Sequence, residues 1–185
     1  MATQHLDLEE QEQLAQLKHF WNRWGNLITW ALIAVLGAFA AWNGWNFWQQ
    51  RQAVQAAALY DQMEAATQAG DVERTTRVLA DMQASYPGAE YAAQAALLAA
   101  KTLVEKEKTA EAKAALAWVA EKAADSGLQA TARLRLASLL YADKAYDEAL
   151  QQLSARFDPA FAPLAADRRG DVLLAQGKKD LAIAE

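Results

Sequence analysis

The side chains best suited to acid–base or metal chemistry are few in this sequence. Its two histidines, His5 and His19, both precede an apolar segment near the N-terminus, and cysteine is absent. A histidine-based catalytic or metal cluster is therefore not expected in the large domain that follows, and the lack of thiols excludes disulfides and thiolate metal sites. The sequence also has no phosphate-binding loop, dinucleotide fingerprint or nucleophile elbow. We predict no metal and no cofactor.

Carboxylates offer another route to catalysis, and the stretch "DRRGD" at 167–171 holds a suggestive pair. Asp167 and Asp171 would share one face of a helix and could exchange protons with a substrate. The adjacent Arg168 and Arg169 favour a different interpretation, in which the arginines neutralise a solvated face through ion pairs. We predict that the protein is not an enzyme, with an acid–base hydrolase using the two aspartates as the alternative.

The element that dominates the chain's organisation is an uncharged segment, "NLITWALIAVLGAFAAWNGWNFW", at residues 26–48. A hydrocarbon core about 30 Å thick needs roughly 20 helical residues, so the segment is long enough to span a membrane. We predict a single transmembrane helix over 25–50. Tryptophans at both ends are typical of the lipid–water boundaries, and the predicted interface anchors are Trp21, Trp24, Trp42, Trp45 and Trp48.

Two other interpretations of this segment are a cleaved signal peptide and a buried helix of a soluble protein. Ala38, Phe39 and Ala40 supply a cleavage-like pattern, but the region before the segment is long and carries four acidic against two basic side chains. Apolar residues also continue past that pattern as far as Trp48. A buried helix would rarely place its tryptophans at both ends, so the pattern favours a membrane anchor.

Basic residues near the segment predict its orientation. Lys18 and Arg23 lie on its amino side and Arg51 on its carboxyl side, so the positive-inside bias favours a cytoplasmic N-terminus. Residues 1–24 form an amphipathic stem, which we interpret as a helix on the membrane surface, with a docking helix for a partner as the alternative. One helical stripe of this stem holds Leu14, Leu17, Trp21 and Trp24.

The remainder of the chain has the composition of a single helical domain. Alanine is abundant, there are three prolines, and long β-branched runs are missing, so we expect helices and no sheet. From Gln52 onward there are 15 basic and 19 acidic residues, a net charge of −4. Because a duplex-binding domain usually presents a basic face, we expect no nucleic-acid partner.

An internal repeat organises this domain. "AGDVERTTRVL", "KEKTAEAKAAL", "ADKAYDEALQQL" and "AQGKKDLAIAE" superimpose at separations of 37, 37 and 33 residues, close to the period of about 34 of tetratricopeptide repeats. One equivalent position holds Thr75, Ala112, Ala149 and Ala182. Chance coincidences in an alanine-rich helical bundle are the alternative, but "YDEAL" after a helix break favours the repeat.

Other positions of the superposition have packing roles. Small residues twelve positions earlier would let paired helices approach closely, although the first of the set is large: Met63, Ala100, Ala137 and Gly170. Four positions later, an apolar stripe is predicted on each second helix at Leu79, Leu116 and Leu153.

The sequence thus predicts an all-α fold, with an N-terminal single transmembrane helix followed by a tetratricopeptide-like α-solenoid of about four helix pairs over residues 51–185. We expect the last repeat to be incomplete, because its second helix is too short to bury a full stripe alone. The helices of this domain are predicted at about 53–69, 71–85, 89–106, 109–124, 128–142, 145–155, 161–176 and from 178 onward.

Two stretches carry a resemblance to a known family. The stem "EQEQLAQLKHFWNRWGNLI" and the C-terminal "ADRRGDVLLAQGKKDLAIAE", on either side of the span and the repeats, resemble the ancillary Sec translocon subunit family. These are the YfgM-like, membrane-anchored tetratricopeptide-like proteins of Gram-negative bacteria. The resemblance covers essentially the whole chain, and it is most specific in the stem and near Gly170 and Gly177.

The resemblance implies a single-pass protein of the bacterial inner membrane, with a cytoplasmic stem and a periplasmic C-terminal domain. It implies a non-enzymatic scaffold that associates with the Sec translocon and with a membrane-anchored periplasmic chaperone of the isomerase type. Such a scaffold would assist the handover of translocated proteins and would meet translocating polypeptides beside the lipid bilayer.

Stacked helix pairs form a concave groove suited to an extended peptide or a partner helix. From the repeat superposition, the groove-facing candidates on the first helices are Tyr60, Glu64, Gln94, Lys101, Ser138, Tyr141, Asp167 and Asp171.

In an alternative, regulatory hypothesis, the cytoplasmic stem binds a stress-response regulator, and deleting residues 1–17 would alter signalling.

Overall fold

The structure, a computed structural model, describes the backbone of residues 8–185 and the side chains of residue 14 and residues 18–185. Within these residues every regular element is a helix, which confirms the all-α prediction. Part of the predicted stem, including the side chain of Leu17, lies outside the described residues. The helices are α1 (Leu8–Gln68), α2 (Val72–Ser85), α3 (Glu90–Glu105), α4 (Thr109–Lys122), α5 (Ser126–Ala142), α6 (Tyr146–Leu153), α7 (Ala162–Ala175) and α8 (Lys179–Ile183).

Helix α1 contains the apolar segment. Among the described residues it is the one helix that is long and apolar enough to cross a membrane, with a mean hydropathy of 1.6 in its most apolar window. The sequence predicted the stem, the span and a helix from about residue 53 as separate segments, whereas α1 continues through all three. No proline interrupts α1, and the stretch "QAVQAAAL" at 52–59 consists largely of good helix formers.

Gly25, at the start of the apolar segment, is buried beneath an indole ring. A Cβ atom placed on Gly25 would lie 3.2 Å from ring atoms of Trp21, one helical turn earlier. The hydroxyl of Thr29 donates a hydrogen bond of 2.8 Å to the carbonyl oxygen of Gly25. The absence of a side chain at this position therefore lets Trp21 lie flat along the helix.

The chain divides into two compact units between Gln50 and Arg51. In the second unit, from α2 onward, each helix packs against the next one along the chain. The end of α1 joins the same core through Met63, whose side chain is fully buried. Much of this core is alanine, so the helices approach closely, and leucine, valine and methionine side chains fill the remaining space.

Each second helix begins after the same turn. The residue two positions before each of these helices adopts a left-handed backbone conformation, and the set comprises Gly70, Glu107, Lys144 and Gly177, with φ of 63°, 61°, 61° and 79°. The N–H of the following residue donates back to the preceding helix, as in the bond of 2.7 Å from Lys108 to the carbonyl of Leu103. This bond satisfies a carbonyl group that the helix end leaves unpaired.

The equivalent positions of the repeat also match in the structure. Thr75, Ala112 and Ala149 are fully buried, and each donates its N–H to the residue just before its helix. Thr75 also donates its hydroxyl to the carbonyl of Asp71 at 2.7 Å, which satisfies its buried polar atom. The predicted stripe of Leu79, Leu116 and Leu153 is buried as well.

The small-residue positions have different local structures. Ala100 and Ala137 are buried, as the packing argument predicts, and Met63 is buried despite its size. A Cβ atom on Gly170 would lie 3.6 Å from the carbonyl oxygen of Ala182, so α7 and α8 meet at the two positions that the superposition pairs.

Candidate functional site

The predicted groove residues lie on α1, α3, α5 and α7, which are the first helices of the four predicted pairs. Most are exposed, and Tyr60 and Gln94 are half-buried. Within the part of the chain that the structure describes, two pockets between neighbouring first helices bring four of the eight together. Those four are Lys101, Ser138, Tyr141 and Asp171.

The first pocket lies between α3 and α5 and has a volume of about 460 Å³. Lys101 of α3 and Ser138 of α5 stand on its opposite walls, and Leu116 of α4 contributes an apolar base. The complete lining comprises Ala100, Lys101, Val104, Glu105, Leu116, Arg135, Ser138 and Leu139. The pocket is thus apolar at its base and charged at its rim.

The second pocket lies one helix pair further along, between α5 and α7, with a volume of about 250 Å³. It brings together Ser138, Tyr141 and Asp171 from the predicted set, above Leu153 of α6. The remaining lining residues are Ala137, Arg168 and Val172.

The two pockets are built from the same positions of the repeat. Ala137 and Leu153 of the second pocket lie 37 residues after Ala100 and Leu116 of the first pocket. Lys101 becomes Ser138, and Val104 becomes Tyr141, by the same shift. Advancing α5 positions by 33 residues takes Arg135 to Arg168, Ser138 to Asp171 and Leu139 to Val172. Because the repeat recurs, the first helices present two versions of one pocket.

The two pockets differ in their charge pairing. In the second, Arg168 Nη1 lies 3.8 Å from Asp171 Oδ2, so the arginine has an acidic neighbour. In the first, Lys101 lies 3.9 Å from Glu105, whereas Arg135 makes no hydrogen bond or ion pair with any described residue. The first pocket therefore carries one uncompensated positive charge.

Sequence reasoning missed Arg135, although a signal for it was present. Arg135 and Arg168 are separated by 33 residues, as Ala149 and Ala182 are, so the periodicity relates them. Both arginines lie on first helices, α5 and α7, but neither was among the predicted groove residues.

Tyr60, on α1, lines neither of the two pockets. Its ring lies against that of Tyr91, with the ring centroids 5.6 Å apart. Burial raises the pKa of the Tyr60 phenol above its ordinary value of 10.0, and Glu64 and Tyr91 act in the same direction. Gln94 donates a hydrogen bond of 2.9 Å to the Glu90 carboxylate one turn earlier. Tyr60, Glu64, Gln94 and Asp167 line neither of the two pockets.

The surroundings of the two aspartates match the ion-pair interpretation in part. Arg168 pairs with Asp171, as that interpretation predicts. Arg169 instead donates to the carbonyl of Leu153 at 2.9 Å and pairs with Glu185 at 2.6 Å, so it contacts the end of α6 and a residue beyond α8 rather than Asp167 or Asp171. Among the described residues, no group of three or more His, Cys, Asp or Glu side chains is placed to hold a metal ion.

The predicted membrane-interface tryptophans are exposed along α1. Trp21, Trp42 and Trp45 each expose more than half of their surface, and the rings of Trp45 and Trp48 lie 5.4 Å apart. Trp24 is also exposed, and it lines a small pocket with His19, Phe20 and Arg23. Large apolar rings beside basic side chains suit the boundary between lipid and water.

Comparison with known proteins gives two kinds of match. Residues 18–185 match the family described as tetratricopeptide repeat-like domain. The chain is 35% identical over 177 residues to the ancillary SecYEG translocon subunit of Neisseria gonorrhoeae, covering 95% of this chain and 85% of the relative. It is 30% identical over 172 residues to the protein of the same name in Haemophilus influenzae, covering 93% and 84%. No solved structure matches the chain.

Proposed function

Because this chain belongs to the family of ancillary SecYEG translocon subunits, with their tetratricopeptide repeat-like domain, we propose that it is a non-enzymatic adaptor at the Sec translocon. The observation that carries the proposal is the repeated pocket in the groove of a domain that follows a helix able to span a membrane. Repeated pockets suit an elongated partner, and membrane attachment would raise the local concentration of the adaptor at an exit site.

We infer a three-part arrangement for this adaptor. Residues 1–24 form a cytoplasmic amphipathic stem, residues 25–50 cross the bacterial inner membrane once, and residues 51–185 form a periplasmic α-solenoid of about four helix pairs. Lys18 and Arg23 on the amino side of the span, against Arg51 on the other side, support this orientation through the positive-inside bias.

We propose that the periplasmic domain helps to hand translocated proteins onward. Its partners would be the Sec translocon, a membrane-anchored chaperone of the isomerase type and, through the groove, translocating polypeptides. The proposed groove contacts are Tyr60, Glu64, Gln94, Lys101, Ser138, Tyr141, Asp167 and Asp171. The presence of Lys101, Ser138, Tyr141 and Asp171 in the linings of the two pockets supports this proposal.

Co-isolation tests the adaptor proposal. A tagged chain would be recovered from gently solubilised membranes, beside a tagged single-pass protein of the same orientation but unrelated sequence. We expect translocon and isomerase-type chaperone components to be enriched with the tagged chain alone. Equal recovery with both proteins would contradict the proposal.

Protease access tests the orientation separately. We expect the C-terminal domain to be digested once the outer membrane is permeabilised, because a periplasmic domain is then reachable. Protection until the inner membrane is also broken would place the domain in the cytoplasm and would overturn the proposed arrangement, including the handover role.

A further inference from the structure

The two equivalent pockets differ in the charge of the side chains that line them. Leu116 and Leu153 form the base of the two pockets, and Arg135 and Arg168 occupy the same position in each. Asp171 lies beside Arg168 at 3.8 Å, whereas Arg135 has no partner among the described residues. An arginine with an unused guanidinium beside an apolar base is suited to bind a carboxylate next to an apolar side chain.

We propose that the pocket between α3 and α5 anchors an extended polypeptide segment in which an apolar residue adjoins an aspartate or glutamate. The apolar side chain would enter the space above Leu116, and the carboxylate would accept hydrogen bonds from Arg135. This inference rests on the proposed function, since it names the class of polypeptide that the groove binds.

Charge complementarity supports an acidic occupant. The residues from Gln52 onward carry a net charge of −4, so the domain as a whole repels an acidic chain. Lys101, Glu105 and Arg135 give the first pocket a local charge of +1, because two positive residues face one negative residue. Arg168 and Asp171 balance in the second pocket. The first pocket therefore favours an acidic residue, and the second a neutral one.

The carboxylate is an internal side chain and not a chain terminus. The equivalent second pocket continues the groove by one helix pair, and Ser138 lines both pockets. A segment that fills both pockets therefore extends past Arg135. If its terminal carboxylate bound Arg135, the segment could reach the second pocket in only one of the two chain directions. An internal aspartate or glutamate allows occupancy in both directions.

Peptide binding to the full chain in nanodiscs of neutral lipid tests this proposal. The probe is a short, labelled, carboxyl-amidated peptide with two leucine–aspartate pairs, and the comparison peptide carries leucine–asparagine pairs. We expect the acidic peptide to bind more tightly and to weaken as salt is raised, because a charge-assisted contact is screened. Equal binding of both peptides, or no binding of either, would overturn the proposal.

Substitution of Arg135 locates the contact. Arg135→Gln should weaken the binding of the acidic peptide by about tenfold, with little change for the asparagine peptide, because one charge-assisted hydrogen-bonded contact is lost. Arg156→Gln is the matched control, since Arg156 is exposed and lines neither pocket. Equal effects of the two substitutions would contradict the assignment to Arg135.

A charge reversal keeps the test independent of any loss of fold. Arg135→Glu should prefer a leucine–lysine peptide over the leucine–aspartate peptide, and a misfolded protein would not acquire that preference. An unchanged preference would refute the proposal, as would acidic-peptide binding that requires a free carboxyl terminus. Translocon co-isolation uses a separate readout, so failure of the proposed function and failure of the pocket assignment can be told apart.

Discussion

At the scale of single residues, the repeat turns hold side chains in a backbone conformation that glycine tolerates best. Glu107 and Lys144 have φ of 61°, in the positions that Gly70 and Gly177 occupy in the first and last repeats. A non-glycine residue in this conformation costs about 1–2 kcal/mol. The two inner turns therefore persist because the helices on either side fix their geometry.

Replacing Glu107 by glycine should stabilise the domain. Relief of the left-handed conformation outweighs the greater backbone entropy of glycine in the unfolded chain, so we expect a net gain of about 0.5–1 kcal/mol. Circular dichroism would show this as a higher unfolding midpoint of the full chain. Glu111→Gly is the matched control, because Glu111 lies within α4 and glycine there should destabilise by about 1 kcal/mol. Destabilisation by both variants would contradict the explanation.

The raised pKa of Tyr60 predicts how stability depends on alkaline pH. Burial, Glu64 and Tyr91 disfavour the phenolate in the native state, so the native pKa lies above the unfolded value of about 10. The contribution is therefore complete below pH 10 and is lost as pH rises through the native pKa. Denaturation at about pH 9 and about pH 11 should show a smaller alkaline loss of stability in Tyr60→Phe than in the unsubstituted chain.

A control for this measurement is Tyr141→Phe, which removes a phenol from the ring pair of Tyr141 and Tyr146. If Tyr60→Phe loses as much stability between the two pH values as the unsubstituted protein, the raised pKa of Tyr60 does not contribute.

At the scale of the elements, small residues decide how closely paired helices approach. Ala112 is fully buried in the core, whereas Ala114, on the same helix, is exposed. Adding atoms at the first position must displace neighbours that are already close-packed, and adding them at the second position meets solvent.

Ala112→Leu should therefore destabilise the domain by about 1–3 kcal/mol, through overpacking. Ala114→Leu should change the free energy of unfolding by less than about 0.5 kcal/mol, since it is a surface substitution. Denaturant unfolding of the two variants provides the measurement. A similar loss in both would mean that helix propensity, rather than close packing, dominates at this position.

Arg169 of α7 holds the segment around α8 in place through two contacts. It donates to the carbonyl of Leu153 at the end of α6 and pairs with Glu185, beyond α8. Arg169→Gln should remove both contacts and raise amide hydrogen exchange in Lys179–Ile183, at a cost of about 1 kcal/mol locally. Arg168→Gln, whose partner lies at 3.8 Å, should leave exchange there unchanged. Equal exchange in the two variants would argue against the fastening role.

At the scale of the whole molecule, an apolar segment able to span a membrane and a charged repeat domain follow one another along one chain. Ile33 and Leu36 of the apolar segment expose more than half of their surface. In water such an apolar surface would be unfavourable, and in a bilayer it is solvated by lipid.

Replacing both Ile33 and Leu36 by arginine should weaken membrane insertion, because each arginine at the centre of a span costs roughly 2.5–3.5 kcal/mol. Extraction of membranes at alkaline pH should then release more of the variant than of the unsubstituted protein. Gln49 and Gln50, both replaced by arginine, form the control pair near the predicted boundary and should remain in the pellet. Retention of both variants would contradict the predicted position of the span.

The sequence by itself determined the features that depend on neighbouring residues in the chain. Hydropathy located the candidate span, and alanine and leucine spacing located α2 to α8 to within a few residues, because helix propensity and amphipathic period are local properties. The predicted helix start near residue 53 was wrong, because α1 is continuous from Leu8. Of the four positions that the repeat superposition gave as equivalent, Thr75, Ala112 and Ala149 are fully buried and Ala182 is half-buried. The left-handed turns at Glu107 and Lys144 carried no glycine signal and were not predicted.

Only the tertiary structure decided which side chains of different helices converge. Lys101 and Arg135 are far apart in sequence and line one pocket, and Tyr60 meets Tyr91. Such contacts depend on how closely α3, α5 and their neighbours approach, and on the direction in which each side chain leaves its helix. The sequence relates Arg135 to Arg168 and shows Asp171 three residues after Arg168, but only packing brings each arginine into a pocket with a leucine of a second helix, Leu116 or Leu153.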